Sequence, residues 1–344
     1  MAQAILVSFQ PGMEPLVERE IHGADSRAKL AESLEPGLWR VTPAADDGAA
    51  ERLRAALLKR EPIAIRHVHP VEVDARLAND AGPDRVEAVV ERVAPLLSRV
   101  LGRWSVQTRV LNGALGEAKA YDVNDALAAR AEAIGGGAVY DRKSPELVVS
   151  VCVAPGRVLA GVSRVVENLS SWPGGAARYA GGADALSRAK KKLMEALDVF
   201  GLELPESGVA VDLGAAPGGW TQLLLERGWR VIAVDPAALD ERLESERLTQ
   251  VRSTAERYLA GARDKVDLVV SDMRMDARDA ARLMVAYDRV LKPGARLITT
   301  LKLPERGFLP ILDTALGILS ERYAVRARHL FHNRSEVTAV LTPR

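Results

Sequence analysis

Three observations predict a doubly wound, mostly parallel α/β sheet of Rossmann-like form in the second half of this 344-residue chain. Short apolar runs alternate with helix-period segments from residue 187 onward. The first of those runs ends in a glycine-rich turn, Gly214-Ala-Ala-Pro-Gly-Gly219. The chain closes on two extended runs with no helix between them, so the last strand is expected to enter the sheet antiparallel. Before residue 187 the pattern suits an α+β region, ferredoxin-like in its first part.

Residues 4–9 read as a strand, and Pro11-Gly12 turns the chain into a helix over 14–21. A strand at 38–42, a helix at 49–58 and an extended stretch at 63–73 follow. His67 and His69 lie two apart on one strand face; no third metal ligand is near, so they read as solvated or locally bonded imidazoles. Turn-forming residues at 79–84 mark a first boundary. From Asp84 the apolar residues Val86, Val89, Val90, Val93, Leu96 and Leu97 recur at helical spacing. Residues 104–111 alternate as a strand, 124–133 form a helix stopped by Gly135-Gly-Gly137, and 146–165 read as a hairpin turning at Pro155-Gly156. The Gly- and Pro-rich segment 168–186 is expected as a linker. The expected divisions are therefore 1–80, 81–167, the linker 168–186, and 187–344.

In the last division helices are expected at 187–199, 220–228, 276–291 and 308–322. Strands are expected at 209–213, 230–234, near 249–252, at 266–271, and at 295–301 after the turn Lys292-Pro-Gly294. A hairpin through 325–331 and 337–341 closes the sheet.

Composition excludes several classes of function. No apolar run approaches 18 residues, which excludes a membrane-spanning helix. The first residues lack a basic region and a long apolar stretch of the signal-peptide kind, so a cytoplasmic protein is expected. Cys152 is the single cysteine and reads as a reduced core thiol. Aromatic content of 4% argues against rows of stacking rings, and a net charge of +1 against a uniformly basic surface. Charge is local instead. Residues 156–192 carry seven Lys and Arg against two acids, a local +5. Arg157, Arg164, Arg178, Arg188, Lys190 and Lys191 are the candidates for phosphate contacts, with a solvated basic face as the other reading. No metal, DNA or membrane partner is expected.

The glycine-rich turn states what kind of ligand it suits. A dinucleotide site wants G-x-G-x-x-G so that backbone N–H groups reach a pyrophosphate. Here the glycines are Gly214, Gly218 and Gly219, and Pro217 removes an N–H. Asp212 at the strand end repels phosphate but suits an ammonium. S-adenosylmethionine carries an ammonium and no phosphate, so this chemistry favours it over NAD; another ligand in a Rossmann-like turn is the remaining reading. Asp212, Gly214, Ala215, Pro217, Gly218, Gly219 and Trp220 are the candidate contacts. Asp235, about 20 residues past the turn at the end of the next strand, is placed for ribose hydroxyls.

Polar residues also stand at other strand ends. Asp272 follows Asp267-Leu-Val-Val-Ser271, Lys302 follows Leu297-Ile-Thr-Thr-Leu301, and Glu336 opens the last strand. Ligands of open α/β sheets bind outside the carboxyl ends of strands, so Asp272 and Lys302 are expected to border the cofactor. A Lys there requires a partner, and an ion pair with Asp272 is its purely structural explanation.

Asp212-Leu-Gly-Ala-Ala-Pro-Gly-Gly-Trp220 resembles motif I of the FtsJ-like RNA ribose methyltransferases. Ser187-Arg-Ala-Lys-Lys-Lys-Leu193 resembles the entering helix of that family, S-R-x-x-x-K-L, whose lysine falls on Lys192. With Ser171-Trp-Pro, Leu301-Lys-Leu-Pro304 and His332-Asn-Arg-Ser-Glu-Val-Thr338, the resemblance is closest to large-subunit rRNA cytidine 2′-O-methyltransferases. It is strong over 168–344 and weak over 1–167, where 81–167 resembles a THUMP domain, an RNA-binding module. The resemblance implies a class I methyltransferase fold, S-adenosylmethionine as cofactor, rRNA as partner and a K-D-K-E catalytic set, Lys192, Asp272, Lys302 and Glu336. Lys302 would be the base toward a ribose 2′-hydroxyl, with Lys192 stabilising the alkoxide and the two acids orienting both amines. Burial and Lys192 favour a neutral Lys302, whereas Asp272 and Glu336 favour the ammonium. The family often carries an acid toward adenine after the third strand; Val251-Arg-Ser-Thr-Ala255 has none, and Thr254 is the candidate in its place. Methylation of another RNA's ribose is an alternative. Base methylation is disfavoured, because Ser271-Asp-Met-Arg274 lacks an Asn/Asp-Pro-Pro-aromatic strand end. A non-catalytic RNA-binding or ribosome-assembly factor is the other alternative, and it would not be expected to keep all four polar residues.

Overall fold

The computed structural model describes residues 2–44, 47–77, 84–179, 186 and 189–344. The chain divides into two units, Met1–Ala176 and Ala177–Arg344.

The first unit holds two sheets. β1 (Ala4–Ser8), α1 (Glu14–Ala24), β2 (Lys29–Glu35), β3 (Leu38–Thr42), α2 (Ala49–Arg60) and β4 (His67–Val71) build an antiparallel sheet in the order β2-β3-β1-β4. That order is the ferredoxin-like one. β2 was not expected, because Lys29-Leu-Ala-Glu-Ser-Leu-Glu35 is an edge strand with charges on it and no clean alternation. Next come β5 (Val73–Arg76), α3 (Arg85–Val93), β6 (Arg103–Val110), α4 (Ala120–Ile134), β7 (Val139–Tyr140), β8 (Leu147–Ala154) and β9 (Arg157–Arg164). Their sheet runs β5-β9-β8-β6-β7, with α3 and α4 burying Val89, Val93, Val123 and Leu127 against it. β5 falls within residues 1–80 yet pairs with β9, so the two sheets part between Val71 and Val73. Cys152 is buried where Leu6, Leu38 and Leu159 join the sheets.

Two expectations are corrected in this unit. His67 and His69 are buried rather than solvated, at 3% and 8% exposure, and His69 takes the locally bonded alternative, with its Nδ1 3.1 Å from Pro70 O. Burial pushes their pKa values down to about 3 and about 4, so both imidazoles stay neutral at ordinary pH. Residues 168–176 pack on the first unit instead of linking: the carbonyls of Asn168, Ser171 and Gly174 accept bonds from Val68 N, Gln107 Nε2 and Ser8 Oγ. Most of the remaining expected linker, 180–185, lies outside the described residues, as do 79–83 of the first boundary.

The second unit is the doubly wound sheet. Its elements are α5 (Ala189–Val199), β10 (Val209–Leu213), α6 (Gly219–Glu226), β11 (Arg230–Val234), β12 (Leu248–Val251), α7 (Ala255–Gly261), β13 (Val266–Ser271), α8 (Ala277–Tyr287), β14 (Leu291–Lys302), α9 (Leu309–Ser320), β15 (Tyr323–Arg328) and β16 (Glu336–Pro343). The strand order is β12-β11-β10-β13-β14-β16-β15. β10 to β14 are parallel, and β16 runs antiparallel between β14 and β15. The order reverses between β10 and β13, the switch point where open α/β sheets bind ligands. α5 buries Leu193, Ala196 and Leu197, with Phe200 just past its end, against Trp220, Trp229 and the sheet residues Leu268, Val270 and Ile298. The spacing of those three helix residues is that of one apolar face.

Candidate active site

Strand register brings the expected polar residues together at the carboxyl edge of the parallel strands. Asp272 leaves the sheet directly after β13, and Lys302 is the last residue of β14, the next strand over. Glu336 opens β16, and its register partner on β14 is Lys302. The antiparallel return therefore sets these two side by side. Lys192 arrives from α5, one residue before the first member of its buried face.

The four side chains form a single ionic network. Asp272 Oδ1 accepts from Lys302 Nζ at 2.5 Å and from Thr300 Oγ1 at 2.8 Å, while Lys192 Nζ donates to both Asp272 oxygens at 3.1 and 3.3 Å. Glu336 pairs with Lys192 and lies 3.7 Å from Lys302 Nζ. Two cations face two anions, so each part-buried charge has a partner, as low dielectric demands. Burial works to raise the pKa of Asp272, but Lys302 and Lys192 outweigh it and hold the carboxyl below its ordinary value. Burial opposes ionisation of Glu336 as well, and its bond from Lys192 with the field of Lys302 prevails. For Lys192 burial opposes the charge, and Asp272 and Glu336 hold the ammonium above its ordinary pKa. Lys192 is thus a fixed cation at neutral pH.

This network stands between two cavities. One, of about 550 Å³, is lined by Asp212, Gly214, Ala215, Pro217, Gly219, Trp220, Asp235 and Asp272. The other, of about 890 Å³, is lined by Lys191, Lys192, Asp272, Arg274, Lys302, Phe331 and Glu336. Asp272 and Arg274 border both. Both volumes are of the size that holds a small molecule or one unit of a polymer.

In the first cavity Asp212 is 1% exposed and accepts from Thr221 Oγ1 at 2.6 Å. Burial pushes its carboxyl up to about 7. Asp235 accepts from Ala216 N at 3.1 Å and Ala237 N at 2.7 Å, one bond to each oxygen. Gly214 has φ +71°, and a Cβ there would lie 2.4 Å from Met273 Cγ, so the turn closes tightly over the strand end. Trp220 Nε1 donates to Ala189 O at 2.7 Å, tying α6 to α5.

Two expected cofactor contacts do not line this cavity. Gly218, with φ +117°, caps α6 and faces Leu243, whose Cδ1 would be 2.1 Å from an added Cβ. Thr254 caps α7, its hydroxyl accepting from Arg257 N at 3.3 Å. Both are held by the geometry of a helix start. The expected phosphate contacts also separate. Arg157 is held by Asp74 through two bonds of 2.6 Å and by Glu32 at 2.7 Å, so its charge is neutralised within the first unit. Lys190 pairs with Glu226 at 2.6 Å. Arg164 and Arg178 are exposed, the former beside Glu167 and Glu72, and Lys191 reaches the larger cavity. Ser187 and Arg188 lie outside the described residues.

Sequence reasoning missed Glu195, Arg274 and Phe331. Glu195 is 2% exposed on α5 and accepts from Phe331 N at 2.6 Å and His332 N at 2.9 Å, with His332 Nδ1 at 2.7 Å. It clamps the loop that leads to Glu336. Its signal was an acid set among Leu193, Ala196 and Leu197, on the buried side of the helix.

Residues 185–298 match the family model described as FtsJ-like methyltransferase. The chain is similar to Ribosomal RNA large subunit methyltransferase M of Shewanella denitrificans, 36% identical over 209 residues, covering 56% of this chain and 56% of that protein. It is similar to the protein of the same name from Shewanella sp. strain MR-4, 34% identical over 222 residues, covering 60% of this chain and 61% of that one. The matched segment thus spans 56% and 61% of the length of these relatives. Among solved structures, TrmN from Thermus thermophilus aligns over 99% of this chain and 100% of its own at 16% identity and a TM-score of 0.42.

Proposed function

We propose that this chain transfers a methyl group from S-adenosylmethionine to a ribose 2′-hydroxyl of RNA, at a cytidine of large-subunit rRNA. The observation that carries the reading is the Lys192–Asp272–Lys302–Glu336 network set between two cavities at the switch point of the sheet. The match of 185–298 to FtsJ-like methyltransferases and the names of the relatives support it.

The smaller cavity fits the cofactor by the chemistry of its donors. Asp212 is a buried carboxyl that forms no ion pair among the described residues, as suits an ammonium ligand, and Asp235 accepts only one bond on each oxygen, which leaves lone pairs for hydroxyls. The backbone at Gly214 and Pro217 offers no cradle for phosphate. When bound there, S-adenosylmethionine supplies an electrophilic methyl on its sulfonium. Lys302 accepts the 2′-hydroxyl proton in its neutral form, and Lys192, fixed as a cation, stabilises the alkoxide as it develops. Asp272 orients both amines through the bonds described, and Glu336 completes the network from the other strand. RNA docking falls to the first unit, whose residues 81–167 resemble a THUMP domain.

Tritium transfer from the labelled cofactor to protein-free large-subunit rRNA tests the reading. Lys302→Ala is expected to lower kcat by about 10²- to 10⁴-fold with little change in cofactor affinity, since a general base acts in the transition state. A folded Lys302→Ala variant that transfers at the wild-type rate would remove Lys302 as the base.

A further inference from the structure

The larger cavity carries an apolar feature that handling of charge does not require. Phe331 is 40% exposed and forms part of its wall. It is the one exposed large apolar side chain among the described residues of Ala177–Arg344. A single exposed ring is ordinary on a protein surface. This one differs in being held in place: its backbone N–H is bonded to buried Glu195, and the His332 ring stands edge-on to it at 5.4 Å and 89°. Tyr179 lies 5.8 Å beyond, against His332. Around the same cavity stand Lys191, Arg274 and Arg334, side-chain cations for which no ion pair is formed among the described residues.

A preset ring face, unpaired cations around it and an amine pair for a hydroxyl are the three elements that one nucleotide unit needs. We propose that Phe331 is the ring on which the target base stacks, while Lys191, Arg274 and Arg334 take the flanking phosphates. This inference rests on the proposed function above. Stacking reaches only the π-face of a base, so the base must be out of a duplex to use it. The cleft therefore selects an unpaired nucleotide and is tolerant of base identity at this contact. Choice of the nucleotide along the RNA comes from docking elsewhere.

The test is steady-state transfer by the full chain to protein-free large-subunit rRNA at saturating cofactor, comparing wild type with Phe331→Ala, Phe331→Leu and Phe331→Tyr. Loss of the ring in the Ala and Leu variants is expected to raise KM for RNA about 10- to 100-fold, whereas Tyr stays within about threefold of wild type. Cofactor affinity by calorimetry stays unchanged in all three. If wild type transfers methyl and the Ala variant keeps its KM, stacking is overturned while the active-site reading stands. If the Leu variant matches wild type, an apolar wall suffices and the ring has no stacking role. A wild-type chain that transfers no methyl to RNA overturns the active-site reading and this inference with it.

Discussion

Asp212 is the buried carboxyl on which the proposed ammonium contact of the smaller cavity rests. Its carboxyl lies at about pH 7 because burial disfavours the anion, against an ordinary value of 3.8. A raised folded-state pKa means that the proton on Asp212 stabilises the fold. That contribution is complete below about pH 3.8 and is lost as pH rises toward 7. An ammonium placed beside the carboxyl reverses the preference and drives the proton off. S-adenosylmethionine affinity is therefore expected to rise with pH and to level off above about pH 7, by at most about tenfold per unit. Calorimetry in buffers of different ionisation heat should find close to one proton released per cofactor bound below that value. Asp212→Asn should abolish the pH dependence. A wild-type affinity that is flat across this range would separate Asp212 from the ammonium.

At the scale of the element, α5 does two jobs with residues three apart. Lys192 joins the ionic network, and Glu195 holds the loop between β15 and β16 through Phe331 and His332. Helix spacing puts such residues on one side, so a single turn of α5 sets both the cation and the loop that delivers Glu336. Glu195→Gln keeps the size but removes the charge and exchanges one acceptor for a donor. Two part-buried N–H groups then share one good acceptor, which is expected to cost about 1–3 kcal/mol of stability in urea unfolding. In the folded variant kcat should fall while cofactor affinity holds, because the smaller cavity does not touch that loop. A stability loss with unchanged kcat would confine Glu195 to a structural role.

For the whole molecule, the proposed function assigns methyl transfer to Ala177–Arg344 and RNA docking to Met1–Ala176. Ala177–Arg344 contains the complete seven-stranded sheet, its core and every residue lining the two cavities. A fragment of these residues is expected to bind S-adenosylmethionine as the full chain does. It should methylate rRNA poorly, because sequence-independent contacts to phosphate supply much of RNA affinity and orientation. Parallel measurement of cofactor binding and tritium transfer, across a salt series, checks both halves of the expectation. Full activity of the fragment would deny Met1–Ala176 a docking role. Among the described residues no helix is long and apolar enough to cross a membrane.

What the amino-acid order determined by itself was whatever depends on neighbours along the chain. β10, β11 and β13 occupy the expected 209–213, 230–234 and 266–271, because each is a short apolar run between turn-forming residues. Asp272 and Lys302 were legible for the same reason, as polar residues ending such runs. The tertiary structure alone decided which charges meet. Arg157 finds carboxylates 83 and 125 residues away, Lys190 one 36 away, and Glu195 its loop 136 away. The pairing of Arg157 and Lys190 with carboxylates, and the discovery of Glu195, both rest on those distances. Such pairings depend on sheet order and helix packing, which bring distant residues together without leaving a pattern in either local segment. β2 escaped notice on the same ground: an edge strand with charged side chains is held by its partner β3 and carries little periodicity of its own.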